Sequence, residues 1–107
     1  MRQLLALSPP PTAVFCYNDM TAVGAMSEAK RMGFRVPHDI SVVGFDDIAF
    51  AAYVDPPLTT VEQRKYEMGQ MAMGMLLDIL ARADAVSDIT LQGKLVVRGS
   101  SGRPGKG

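Results

Sequence analysis

Tryptophan is absent from this sequence, and histidine and cysteine occur once each. One thiol permits no intrachain disulfide, and Cys16 with His38 falls short of any zinc-type ligand set, so no metal is expected. Cys16 lies inside an apolar run with no histidine near it in sequence, which fits a small buried hydrophobe better than a nucleophile. His38 follows Pro37 in a turn and has no evident partner to orient it for acid–base work. No phosphate-cradling loop, dinucleotide glycine fingerprint or nucleophile elbow occurs. The expectation is a protein that is not an enzyme and carries no cofactor.

Charge of either sign in excess is also missing: 11 Lys and Arg face 11 Asp and Glu. The basic residues, among them Arg31, Arg35, Arg64, Lys65 and Arg82, are scattered and form no row that could neutralise phosphates. Any work on nucleic acid would need a part outside this sequence. There is no run of about 18 apolar residues to span a bilayer. The brief apolar start, Met1 to Leu7, is cut off by Pro9, Pro10 and Pro11 before a signal-peptide core could form. A soluble, cytoplasmic protein without membrane association is expected.

What is present is a core. The 107 residues, 48% of them hydrophobic, make one domain at most, and such a chain buries roughly 65% of the surface its unfolded form exposes. Leu4, Leu5 and Leu7 read as the last turn of a helix. Thr12 to Tyr17 is apolar without alternation, the pattern of a strand covered on both faces by helices. Asn18 or Asp19 can cap a helix from Met20 to Met32 that buries Ala22, Val23, Met26, Ala29 and Lys30. Lys30 and Arg31 suit its C-terminal end, and Gly33 with Phe34 suits its termination. Ile40 to Phe45 is a second buried strand. The unit is β-α-β, with two parallel strands in one α/β sheet.

Further on, Ile48 to Val54 fits one or two helical turns before Pro56 and Pro57, and Leu58 to Val61 a short strand-like connection. Glu62 to Ala83 is the longest helical pattern. Met68, Met71, Ala72, Met75, Leu76 and Ile79 share one face, Tyr66, Met73, Leu77 and Leu80 a flank, and cover over more than half its circumference is expected. Gly69 and Gly74 weaken it and suggest close packing. A turn over Asp84 to Asp88, strands at Ile89 to Leu91 and Lys94 to Arg98, and a disordered Gly, Ser and Pro tail from Gly99 complete the reading.

Both parallel strands end in polar clusters, Tyr17, Asn18 and Asp19 on one and Asp46 and Asp47 on the other. In an open parallel sheet ligands bind at that edge. A carboxylate at Asp46 suits two adjacent sugar hydroxyls or a base amine, and Asn18 donates and accepts at once. Tyr17 and Phe45 could offer a ring face. The same residues also suit plain helix capping and core packing, and local sequence leaves both readings open.

The segments PTAVFCYNDMTAVGAM, RVPHDISVVGFDD, PPLTTV and LVVRGS, in this order and spacing, resemble the C-terminal part of the effector-binding domain of LacI/GalR-type bacterial transcription regulators. The resemblance runs from Pro11 to Ser101 and rests chiefly on GFDD and PPLTTV. It implies a three-layer, periplasmic-binding-protein-like C-terminal subdomain, incomplete by itself, over residues 1–101, with a flexible tail at 102–107. Asn18 or Asp19, together with Asp46, would hydrogen-bond a small effector, a sugar or a purine-like molecule. Met26 and Ala29 on the first long helix, and Ala52, Tyr53 and Val54, would lie in a subunit interface.

Pro57 to Val61 matches a crossover between lobes, and the helix 62–83 would pack on a lobe these residues do not include. The resemblance also implies a helix-turn-helix domain beyond this sequence, so DNA would be reached only through that domain. Left uncovered, the helix is expected to dock on a second copy, by swapping or otherwise, giving a homodimer or higher oligomer. An exported sugar-binding protein of a transporter shares the Asn and Asp pair. A phospho-accepting receiver domain also ends a strand in paired acids, but needs a later acceptor Asp and Lys that Ile89 to Arg98 does not supply.

Overall fold

The computed structural model describes residues 1–81 and 87–105. It divides into two units, Met1–Glu62 with Lys94–Gly107, and Gln63–Gly93.

The first unit begins with a short helix α1 (Arg2–Leu5), strand β1 (Ala13–Phe15), helix α2 (Asp19–Arg31) and strand β2 (Ser41–Val43). A single 3-10 turn (Ala49–Ala52) leads to β3 (Thr60–Glu62), and β4 (Lys94–Val96) returns beside it. β1 and β2 are parallel, with Ala13 opposite Ser41 and Phe15 opposite Val43. β3 and β4 are antiparallel, with Thr60 opposite Val96. The two ladders are joined where the Gly44 N–H donates to the Thr59 carbonyl and the Asp46 N–H to the Val61 carbonyl, each at 2.9 Å.

Helix α2 forms where local chemistry directs it. The Asn18 side chain accepts from the Thr21 N–H at 2.8 Å, satisfying one of the amides that a helix start leaves unpaired. At the other end Gly33 takes φ +87°, and the Gly33 and Phe34 N–H groups donate to the carbonyls of Lys30 and Ala29. That left-handed closure satisfies the last carbonyls without a Cβ penalty. Ala22, Met26 and Ala29 are buried. Val23 is half-buried and Lys30 exposed, so the buried stripe is narrower than the spacing suggests.

The core has two parts, Cys16, Ala22, Met26, Val42, Ala51 and Leu58, and Leu5, Ala29 and Ile40. Burial pushes the Cys16 thiol up from its ordinary value, as suits an inert apolar filler.

Three expectations are corrected. β1 is not covered on both faces: Ala13 and Phe15, which share one face by the two-residue alternation of a strand, are exposed, while Val14 on the other face is half-buried. The segment from Gly99 is not a disordered tail. Ser100 is fully buried, its hydroxyl donating to the Val42 carbonyl at 2.6 Å and accepting from the Thr59 N–H at 2.8 Å. Gly102, placed in the flexible tail, donates its N–H to the Ser41 hydroxyl at 3.1 Å. Ile89 to Leu91 forms no strand, having no ladder partner among the described residues.

The second unit is dominated by helix α3 (Lys65–Leu80). No residue of it is fully buried, and Met68, Met71, Ala72 and Met75 line an apolar groove with Ile89 and Leu91. A Cβ at Gly69 or Gly74 would meet nothing within 4 Å, so neither glycine serves a close approach here. The expected helix end at Ala83 and most of the turn at Asp84 to Asp88 fall outside the described residues.

Candidate functional site

Asn18 and Asp46 come together at the carboxyl ends of the two parallel strands. The Asp19 N–H donates to the Phe45 carbonyl at 3.0 Å, and Asn18 and Asp46 are the covalent neighbours of that bonded pair. They share the sheet edge where a ligand can be met by groups from two strands at once.

The two residues contribute differently. A backbone N–H is a donor, so the Asn18 atom that meets the Thr21 N–H is its oxygen. The cap uses one lone pair of the Asn18 oxygen and none of its NH2 donors. The second lone pair and the NH2 group leave Asn18 the chemistry both to donate and to accept. Asp46 supplies acceptors only, a half-buried carboxylate on backbone held by the Val61 carbonyl.

Asp46 and Asp47 have φ values of +114° and +50°, in the region L side chains rarely adopt. Such backbone costs about 1–3 kcal/mol per residue and persists where the surroundings over-determine it. The surroundings here are specific. The Asp47 carboxylate meets Arg98 at 2.8 Å, the Asp47 N–H reaches the Thr60 hydroxyl at 3.4 Å, and the Ile48 N–H donates to Asp19 at 2.8 Å.

Asp19 is a correction. It was an expected ligand contact, but it is 0% exposed. Its second carboxylate oxygen accepts from the Thr60 hydroxyl at 2.5 Å. Both oxygens are engaged inside the protein, so Asp19 leaves the set of candidate ligand contacts, and Asn18 and Asp46 remain as the candidates. The tight fit also explains Gly44, where a Cβ would stand 2.2 Å from an Asp19 oxygen.

Aromatic surface surrounds the edge. Tyr17 is 87% exposed, while Phe45 is half-buried and meets Phe15 edge-to-face at 6.4 Å between ring centres. Among the interface expectations, Met26 and Ala29 are corrected: at 3% and 0% exposed they face this chain's own core and offer nothing to a partner. Ala52 and Tyr53 are exposed, and Val54 is half-buried.

Sequence reasoning missed Thr60 and Arg98 as parts of this site. Thr60 stood in plain view within PPLTTV, but only the fold places its hydroxyl against Asp19. Arg98 likewise stood within LVVRGS, and only the fold brings its guanidinium to the Asp47 carboxylate.

No group of three or more His, Cys, Asp or Glu side chains among the described residues could hold a metal ion, and no helix of the described residues is long and apolar enough to cross a membrane. An amide and a carboxylate stand at one parallel sheet edge, the place where open α/β sheets take ligands. The chain belongs to the periplasmic-binding-protein-like domain family, whose model matches residues 1–101. Within that fold it corresponds to the C-terminal part of the effector-binding domain of LacI-type transcription regulators.

The chain is 49% identical over 102 residues to the HTH-type transcriptional repressor CytR of Escherichia coli (strain K12), covering 94% of this chain and 30% of that protein. It is 44% identical over 101 residues to the repressor PurR of Mannheimia succiniciproducens, with the same coverage of 94% and 30%. Among solved structures, the lac repressor dimer bound to operator and the anti-inducer ONPF matches with a TM-score of 0.84 at 36% identity, over 92% of this chain and 35% of that one. A complex of the transcriptional regulator CelR with cellobiose matches with a TM-score of 0.85 at 35% identity, over 94% and 31%. These relatives are transcription regulators rather than enzymes, and the chain spans 30% of the length of the curated ones.

Proposed function

We propose that this chain is the effector-sensing part of a LacI-type repressor, acting in the cytoplasm. Its Asn18 donates to, and its Asp46 accepts from, adjacent polar groups of a sugar or purine-like molecule. The observation that carries the reading is the placement of these two residues beside the bonded backbone pair Asp19 and Phe45, past the carboxyl ends of the parallel strands, in a chain that matches repressors over 94% of its length. The solved CelR complex with cellobiose supports a sugar, and cis-hydroxyls suit the pairing of one donor with one two-oxygen acceptor. Function follows from differential affinity: an effector that binds one state of a dimer better shifts the dimer between DNA-binding and non-binding states. The DNA contact belongs to a helix-turn-helix domain outside these residues.

Homodimer formation is part of the proposal, supported by the lac repressor dimers this chain resembles. Exposed Tyr53 and Ala52 are the surface residues offered to that contact. The largely exposed apolar side chains of α3, Leu77 and Leu80 among them, support association of the isolated chain through this helix. Light scattering that shows a monomer across a wide concentration range would refute that association.

A graft tests the site. This chain replaces the matching segment of E. coli CytR, and calorimetry follows titration with pentoses, hexoses, cellobiose, ribonucleosides and purine bases. At least one compound is expected to bind, and Asn18→Ala and Asp46→Ala should each weaken it by tenfold or more. Absence of binding across the panel, or unchanged affinity in both variants, overturns the reading.

A further inference from the structure

Asp19 is enclosed and makes three contacts that converge on one short segment. Its backbone N–H donates to the Phe45 carbonyl at 3.0 Å. One carboxylate oxygen accepts from the Ile48 N–H at 2.8 Å, and the other from the Thr60 hydroxyl at 2.5 Å. Phe45 and Ile48 are the residues immediately outside Asp46 and Asp47. A single residue therefore clamps both ends of the corner that carries the candidate acceptor. It is also the covalent neighbour of Asn18, the candidate donor.

We infer that Asp19 is a positioning residue for small-molecule recognition. Its carboxylate holds the Asp46–Asp47 corner at a fixed separation from Asn18, and Thr60 holds the carboxylate. The inference rests on the effector site proposed above. Both partners of the carboxylate are donors, an N–H and an O–H, so two acceptor oxygens are required. The corner has φ values of +114° and +50° and needs such external support to persist. The same clamp reaches β3: the Thr60 hydroxyl that donates to Asp19 stands 3.4 Å from the Asp47 N–H. Thr60 is buried, and a valine of similar shape removes the hydroxyl while keeping the packing.

Two measurements test this. In the 107-residue chain without ligand, nuclear magnetic resonance compares the unsubstituted protein with Asp19→Ala, Thr60→Val and Thr60→Ser. The first two are expected to shift the amide signals of Asp46, Asp47 and Ile48 and to speed Ile48 amide exchange tenfold or more. The Val42 amide should stay protected, and Thr60→Ser should restore the original pattern. Should Asp19→Ala fail to fold, Thr60→Val decides. Unchanged corner signals, or a uniform loss of protection along the chain, would mean that Asp19 serves general stability only and would overturn the inference.

In the CytR graft, with the panel compound that binds it, Thr60→Val should weaken affinity about tenfold while the melting temperature stays above the assay temperature, and Thr60→Ser should not. Unchanged affinity in Thr60→Val beside a clear loss in Asp46→Ala overturns the positioning role and leaves the effector site standing. Unchanged affinity in both Asn18→Ala and Asp46→Ala instead removes the site itself, a distinct result.

Discussion

The Arg98 guanidinium joins two places far apart in sequence: one nitrogen meets the Asp47 carboxylate at 2.8 Å, and another donates to the Leu58 carbonyl at 3.0 Å. The two side chains are 21% and 20% exposed, so the pair is shielded more than an ordinary surface ion pair. Arg98→Ala should therefore cost about 2 kcal/mol, between the values for exposed pairs and fully buried ones. Arg98→Lys should recover less than half, since an ammonium cannot reproduce a fork aimed at two partners. Urea denaturation midpoints of the three proteins check both.

Gly44 lies where β2 passes beneath Asp19. A Cβ there would come within 2.2 Å of the carboxylate and 3.1 Å of the Asp19 backbone. The side chain cannot swing away without abandoning Ile48 and Thr60. Gly44→Ala should destabilise by about 3 kcal/mol, the upper part of the range for overpacking. A fall in thermal midpoint with circular dichroism is the measurement, and an unchanged midpoint would contradict the packing described.

Ser100 is fully buried and makes two hydrogen bonds through one hydroxyl. Removing it strands the Thr59 N–H and the Val42 carbonyl inside the protein. Ser100→Ala should cost about 2–3 kcal/mol by the cost of unsatisfied buried groups. Truncation after Arg98 should be more severe and leave the chain unfolded by the same spectroscopic measure.

Acid should weaken the fold in a defined window. Hydrogen bonds from Arg31 and then Arg2 lower Glu28 from its ordinary value to about 2. The Arg35 side chain, followed by its backbone N–H and His38, holds Asp39 well below the usual carboxylate range. Because the folded values are depressed, the stabilisation is present above the ordinary carboxylate range and is lost as pH falls through it toward the folded values. Denaturation midpoints should be flat from neutral pH to about pH 5 and then decline. Glu28→Gln should flatten part of the decline, and high salt should shrink it, since these pairs lie at the surface.

Much of the fold was legible because its signals are local. The helix Asp19–Arg31 is announced by Asn18 at one end and by Lys30, Arg31, Gly33 and Phe34 at the other, each acting within a few residues. The β-α-β order follows from one helix between two apolar runs, and the shared edge for Asn18 and Asp46 follows from that order. The helix after Pro57 was legible in the spacing of its methionines, though its bounds contract to Lys65–Leu80.

Contacts between distant segments decided the rest. Asp19 looks as available for a ligand as Asn18 until Thr60 and the Ile48 N–H close on it. Ser100 sits in a run of Gly, Ser and Pro that reads as a loose tail, yet its hydroxyl completes the strand edges at Val42 and Thr59. Met26 and Ala29 follow a helical stripe that sequence cannot assign to a core or a partner, and the chain's own core takes them. The sequence by itself determined the elements and the sheet edge, because capping, turn chemistry and hydrophobic period act over a few residues. Tertiary structure alone decided which polar side chains are buried within the fold, because a buried carboxylate or hydroxyl is committed by partners brought from elsewhere in the chain.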